Sequence, residues 1–380
     1  MRAMCKYIRR IARVSRDEWR RIFRDEGAVL ILLLAVLIYS TLYSLGYGGE
    51  VLRDIPIVVV DESRTEASRR LIRSIDASPN INVAFEAVDM VEARSLFYAR
   101  RAYAVVLIPS DYERALMKSK QATFAAYCDA SYLLVYRQSL EAIVAVAQSE
   151  GVAVVERRLE AADVVQASAI ATPVSLHVHN LYNPWLGYGV FVMPAVLILI
   201  LQQTALVGIG LVGGTRNMHG KRRLRRPLAT LIGRTVAYTA MYGVLATYIF
   251  VLHYRMFGYP MNGSVGACVA LIALYIVAIV LLGLALCGLY RSREDSLVLL
   301  LWSSIPALLV SGVSLPAEAF PKWLYMVGKL LPSSSAVEGY VRIQTMGASL
   351  TEVAPQMLVL GVLVVVYGAV AYMVLRSKRN

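Results

Sequence analysis

Three places in the chain carry residue types able to do chemistry. Asp61, Glu62 and Ser63 follow the apolar run from Ile55 to Val60, at a strand end where active-site acids occur. The commoner role of an acid there is to cap the helix that follows. His177 and His179 form a His-x-His pair that offers two imidazoles to a metal, yet no third ligand stands nearby in sequence. A surface loop returning to an apolar segment is the default reading. Gly220 and Lys221 look like the close of a phosphate-binding loop, but that pattern needs glycine five positions before Gly220 and Ser or Thr after Lys221. Thr215 and Arg222 occupy those places. With no paired acids inside an apolar run, no His-Glu helix motif and no nucleophile spaced from a base, the chain reads as non-catalytic. It is expected to bind no cofactor and no metal.

The elements around these residues are mostly long apolar runs. A bilayer core about 30 Å thick takes roughly 20 apolar residues per helix. Six stretches qualify: Gly27 to Leu45, Leu186 to Val212, Leu228 to Leu252, Val265 to Tyr290, Ser296 to Leu315 and Pro355 to Leu375. Of the 380 residues, 58% are hydrophobic and 17% charged, and the net charge is +13. Together these exclude a soluble nucleic-acid binder and favour a membrane protein with basic margins. Lys and Arg accumulate on the cytoplasmic side of such proteins. The arm before the first span holds nine of them, from Arg2 to Arg24, and the loop after the second span holds Arg216, Lys221, Arg222, Arg223, Arg225 and Arg226. The alternate loops carry few. Both termini are therefore expected inside, in a bacterial inner membrane, with the first span as a signal anchor. Cys128 alone falls in the segment expected outside, so no disulfide staples it.

Residues 47–185 interrupt the apolar pattern. Ile55 to Val60, Ile81 to Phe85, Tyr103 to Ile108 and Ala122 to Tyr127 read as strands, and Thr65 to Asp76, Met90 to Arg101 and Asp111 to Lys118 as helices. A long helix runs from near Ser131 towards Val165. This alternation predicts a small α/β domain, so the fold class is an α-helical polytopic membrane protein of six transmembrane helices with an inserted extracytoplasmic α/β domain. The full division is an amphipathic arm over 1–26, the first span over 27–46, the outer domain over 47–185, five further spans over 186–375 and a tail over 376–380. A basic loop over 213–227 and an outer re-entrant segment over 316–348 lie within the five.

In the arm, Ile8, Ile11, Ala12, Ser15, Trp19, Ile22 and Phe23 mark one face and arginines fill the others. That is an interfacial helix, with Trp19 near the headgroups and Arg20 and Arg24 leading into the span. Polar groups inside the spans tend to face protein or a cavity. Gln202 and Gln203 serve either to line a path or to bond helices, and Pro306 is either a hinge or an irregular packing angle. Glu318 and Glu338 are either part of an exit gate or exposed charge. Glu294 and Asp295, with Arg291 and Arg293, read as solvated turn charge.

Four segments resemble the membrane permease subunits of type-2 ATP-binding cassette exporters, in the branch with a large outer domain after the first span. They are IPIVVVDESRTEASRRLIRSIDASP, AYAVVLIPSDYERAL, NPWLGYGVFVMPAVLILILQQTAL and SGVSLPAEAFPKWLYMVGKLLPSSSAVEGYVRIQTMG. The loop after the second span departs from the family, reading TRNMHGKRRLRRP without the expected Glu. The resemblance implies a permease subunit paired with a second permease, identical or not. It also implies a separate ATPase subunit that carries ATP and Mg. By position, Trp19, Arg20 and Arg24 with Arg216, His219, Lys221, Arg222, Arg223, Arg225 and Arg226 would meet that ATPase, and Gln202, Gln203, Pro306, Glu318 and Glu338 would lie near the path. Membrane lipids are implied partners. In a two-membrane cell the outer domain is a candidate seat for a periplasmic adaptor and an outer-membrane channel. The alternative from another class is a membrane-anchored sensor with an extracytoplasmic ligand-binding domain. It is disfavoured because no cytoplasmic piece is long enough to fold.

Overall fold

The computed structural model describes residues 2–47, 52–118, 120–158, 187–218, 226–311 and 321–377. His177, His179, His219, Lys221, Arg222, Arg223, Arg225 and Glu318 lie outside them. The chain divides into two compact units, one made of residues 1–48 and 181–380 and the other of residues 49–180.

The first unit is all helix. Helix α1 is Arg2–Arg24 and α2 is Glu26–Gly46, with a wide π turn at Leu30–Leu34. Helix α7 is Tyr188–Met218, and α8 is Pro227–Phe257, with a second π turn at Tyr248–His253. They are followed by α9 (Val265–Leu286), α10 (Arg293–Val310), α11 (Lys322–Gly328), α12 (Pro332–Met346) and α13 (Ala354–Ser377). Five of these, α2, α7, α8, α9 and α13, are long and apolar enough to cross a membrane. Helix α10 covers most of the fifth expected span, but its first turn brings in Arg293, Glu294 and Asp295, so it is less apolar than its length suggests. Pro306 sits inside it on an exposed face.

The core of this unit gathers α7, α8, α9 and α12 around four fully buried tyrosines, Tyr238, Tyr242, Tyr275 and Tyr340. A buried tyrosine is stable when its hydroxyl finds a partner. Tyr275 donates to the Ile198 carbonyl at 2.7 Å and Tyr242 to the Thr204 hydroxyl at 3.1 Å. On the outward faces α8 and α13 expose Val236, Val244, Val362 and Val365, as helices bathed in lipid do.

The second unit is a mixed four-stranded sheet of order β2-β1-β3-β4. Strands β1 (Ile55–Asp61), β2 (Ile81–Ala87) and β3 (Ala104–Ile108) are parallel, and β4 (Ala125–Cys128) is antiparallel to β3. Helices α3 (Glu66–Asp76), α4 (Met90–Tyr98), α5 (Tyr112–Met117) and α6 (Leu133–Arg158) cover it. Alternation along β1 sends Ile57 and Val59 to the face under α3 and α6, and Val58 and Val60 to the face under α4. Both faces are buried, which is why β1 reads as an unbroken apolar run.

Candidate functional site: a charged latch at the ends of the membrane helices

The arm α1 packs only part of its apolar face against the neighbouring helices. Ile22 is fully buried, but Ile8 and Phe23 are 58% and 54% exposed. The inward face runs instead through Ile11, Val14, Glu18 and Ile22 against α8. At Gly233 of α8 a Cβ would stand 2.8 Å from Val14 Cβ and 2.9 Å from the Ile11 carbonyl. The missing side chain there lets the two backbones close up. Ile8, Trp19 and Phe23 form a second apolar stripe beside the first, with Trp19 packed on the core. The arginines, including the exposed Arg20 and Arg24, fill the remainder.

Glu18 is the centre of the site. It is 1% exposed and sits among groups drawn from three helices. Arg216 of α7 donates to Oε1 at 2.6 Å, Tyr238 of α8 donates to the same oxygen at 2.9 Å, and Arg234 of α8 stands 3.7 Å from Oε2. Arg21 adds a looser pair at 3.8 Å. Arg216 is expected in a loop but belongs to the last turn of α7, which runs on to Met218. Helix continuation through Gly213 and Gly214 carries it there. Burial pushes the Glu18 carboxyl up, but the charges of Arg216 and Arg234 and the hydrogen bonds from Arg216 and Tyr238 together hold it below the ordinary 4.5. A carboxyl lowered in the folded state contributes stability above its unfolded value, and loses it as pH falls through the folded one. Thermal unfolding in detergent should therefore show no Glu18 contribution to the pH dependence between about pH 8 and about pH 5, then an acid limb below that Glu18→Gln removes.

A second charged joint lies about two turns further on. Asp25 ends α1 and caps α2 by accepting from the Ala28 amide at 3.0 Å. Arg293 of α10 grips its two oxygens at 2.9 and 2.8 Å, a bidentate pair of the strong kind. Asp295 accepts from the Arg291 and Ser292 amides at 2.7 and 3.0 Å, closing a capping box at the start of α10. Of the charges of this turn, Arg293 is therefore a joint between helices and Asp295 a cap of its own helix, while Arg291 and Glu294 are exposed as expected of solvated turn charge. Asn217 completes the set, donating to the Cys287 and Tyr290 carbonyls at 3.0 and 2.8 Å beyond the end of α9. The arm and the neighbouring ends of α2, α7, α8, α9 and α10 are tied together by these contacts.

The polar residues expected near the path lie elsewhere. Gln202 is 14 residues from the start of α7, about 21 Å along its axis. Its Oε1 accepts from the Ser333 amide at 3.0 Å, so it bonds helices and closes the N-terminus of α12 at mid-depth. Gln203 brings a buried Oε1 with no partner among the described residues. Glu338 of α12 meets Lys329 at 3.0 Å, Arg342 at 3.1 Å and Gln356 of α13 at 2.8 Å. It is therefore a half-buried ion cluster that fastens α11 and α13 to α12, not free surface charge. Pro306 takes no part in either group. Gln202→Leu would leave the buried Ser333 amide without an acceptor and cost about 1–3 kcal/mol, read as a lower melting temperature in detergent. Among the described residues no group of three His, Cys, Asp or Glu could hold a metal.

In the second unit Asp61 is fully used as a turn holder. Its Oδ1 accepts from the Ser63 and Arg64 amides at 3.0 Å each, and Oδ2 accepts from the Ser68 hydroxyl at 2.7 Å. Ser68 and Thr65 in turn form the capping box of α3.

A bundle of long apolar helices, fastened at one set of ends by an amphipathic arm and interrupted in sequence by an α/β unit, defines a multi-pass membrane protein. The chain belongs to the ABC-2 family of transporter proteins, whose pattern it matches over residues 28–373, and it is a transport permease rather than a catalytic subunit. It is similar to the probable multidrug ABC transporter permease YbhR of Escherichia coli K12, with 23% identity over 377 residues, covering 97% of this chain and 99% of the relative. The protein of the same name in Escherichia coli O157:H7 matches to the same extent.

Neither Glu18 nor Asp25 stands out in the sequence. The available signal is an acid at the i+4 and i+11 positions of the stripe Val14, Glu18, Ile22, Asp25, in an arginine-rich arm with few acids to choose from.

Proposed function

We propose that this chain is the membrane-spanning subunit of an ATP-driven exporter of the bacterial inner membrane, coupled to a separate ATPase that holds ATP and Mg. In this reading α10 is the fifth of six spans, both termini are cytoplasmic and the α/β unit is extracytoplasmic. The observation that carries it is the Glu18 and Asp25 latch, which binds the arm to four membrane helices and so gives a docked ATPase a rigid handle on them. Coupling requires the two nucleotide states to contact that handle differently, because a ligand shifts an equilibrium only by its differential affinity. The basic loop over 213–227 and the exposed Arg20, Arg24 and Arg226 are the surface offered to the ATPase. Two copies, or this chain and a sister subunit, would enclose the path. Similarity to a probable multidrug permease favours drug-like cargo.

The test is a mild-detergent pull-down of the tagged chain with an ATPase assay on the eluate. A stoichiometric ATPase is expected to co-elute. Reversing Arg222, Arg223, Arg225 and Arg226 to Glu should leave membrane insertion intact but separate ATP hydrolysis from transport. Normal coupling in that variant would remove the loop from the mechanism, and a chain that elutes alone would remove the ATPase.

A further inference from the structure

The α/β unit has a pocket that its fold alone does not need. It opens beside the carboxyl ends of β1 and β2, with a cavity volume of about 570 Å³. In open α/β sheets the crevice beyond the carboxyl ends of parallel strands is where ligands bind, at the point where the outgoing connections diverge. That divergence occurs between these two strands. The chain leaves β1 for α3 on one face of the sheet and leaves β2 for α4 on the other, as the separate burial of Val59 with α3 and of Val60 with α4 shows.

Val59, Ile72, Ala87 and Val88 line the pocket together with Arg64, Arg69 and Arg73 and the two carboxylates Asp61 and Glu86. Arg69 and Arg73 are one turn apart on α3, where like charges repel by a few tenths of a kcal/mol. The Arg69 guanidinium also reaches the Arg64 carbonyl at 3.4 Å, which ties those two together while Arg73 lines the same pocket. The Arg64 backbone sits in the left-handed region with φ of 50°, and its amide is held by Asp61. Among the described residues none of the three guanidiniums makes an ion pair, whereas Arg70 on the flank of the same helix pairs with Glu66 at 2.9 Å. Asp61 is taken up by the Ser63 and Arg64 amides and the Ser68 hydroxyl, so three guanidiniums unpaired with either lining carboxylate share one cavity and match the oxygens of a phosphate group by charge and by their forked donors.

We infer that the α/β unit binds a phosphate-bearing ligand in the pocket between α3 and the ends of β1 and β2, with Arg64, Arg69 and Arg73 as its anion ligands. The phosphate is either free in solution or carried on a lipid headgroup. The inference is independent of the ATPase-coupling reading.

The experiment is arginine footprinting with phenylglyoxal on the full-length protein in phosphatidylcholine nanodiscs, read by mass spectrometry. One arm adds inorganic phosphate, and the other replaces part of the lipid with phosphatidic acid. About four-fifths occupancy should slow modification of Arg64, Arg69 and Arg73 about fivefold, with Arg70 and Arg137 as unaffected references. Protection by inorganic phosphate identifies a soluble ligand, and protection only by phosphatidic acid identifies a lipid. The variants R73Q and R69Q/R73Q, exposed substitutions that leave the sheet core intact, should lose protection of Arg64 in the effective arm. Equal modification of the three arginines in every condition overturns the proposal. So does protection that survives both variants.

Discussion

Glu18→Ala should abolish coupled transport and lower stability by about 3–5 kcal/mol, the usual cost of removing one partner from a buried ion pair. The substitution leaves Arg234, only 9% exposed, without its counter-charge, and strips Tyr238 of its acceptor. Arg216 has a quarter of its side chain exposed and can turn towards water, so most of the penalty falls on α8. The measurements are the melting temperature in detergent and ATP hydrolysis with and without transport. A paired replacement, Glu18→Leu with Arg234→Leu, separates the two consequences. Replacing both members of a buried pair with apolar groups is often neutral or stabilising, so the double variant should recover most of the melting temperature. It should not recover coupling, because the arm would then be held by shape alone. An E18A protein that melts and transports like the parent would show that the latch is ornamental.

Gly214→Val is expected to be the most damaging single change in a membrane helix. A Cβ at this position would stand 2.3 Å from the Ser292 carbonyl oxygen and 2.9 Å from Arg293 Cα. Those are backbone atoms, so neither can swing aside as a flexible side chain would. Overpacking of this kind costs about 1–3 kcal/mol or more. It would also push α7 from the start of α10, drawing Asn217 off the Cys287 and Tyr290 carbonyls. Gly243→Ala in α8 is the control. Nothing lies within 4 Å of its added methyl, and alanine in a helix interior gains about 0.5–1 kcal/mol over glycine. The two variants should therefore move the melting temperature in opposite directions. Equal effects would mean that the α7–α10 contact is loose.

The long elements were legible because their signal is local. The apolar runs that became α2, α7, α8, α9 and α13 are long and apolar enough to cross a membrane, and the strands of the α/β unit are bracketed by turn residues. Boundaries were less so. Helix α7 continues six residues past its last apolar position, since Gly213 to Asn217 are held by packing and by Asn217 rather than by propensity. The latch was not legible because it depends on partners far apart in sequence, Glu18 with Arg216 and Asp25 with Arg293. Spacing along α1 shows that the arm is amphipathic, but two apolar stripes lie side by side on it, and spacing does not say which meets protein. By sequence Glu338 reads as part of an exit gate or as exposed charge, and only the fold could supply its partners Lys329, Arg342 and Gln356. Much of the expected ATPase surface, from His219 to Arg225, lies outside the described residues.

The wide turns in α2 and α8 give those helices a rotational phase that hydropathy does not record. In α2 the buried positions Ala28, Leu32, Val36, Ser40 and Ser44 recur every four residues, a rhythm that an unbroken α-helix would carry about 160° around its axis. The turn at Leu30–Leu34, where the Ala35 amide reaches back five residues to the Leu30 carbonyl, absorbs about 100° of that drift. Its counterpart in α8 aims His253 at the Ser40 carbonyl, 3.1 Å away, and Tyr259 beyond it meets the Ser44 hydroxyl at 3.0 Å. The first span is thus keyed to the third like a shaft to its gear. An equally greasy helix of the same length would insert as well and still turn the wrong face to its neighbour.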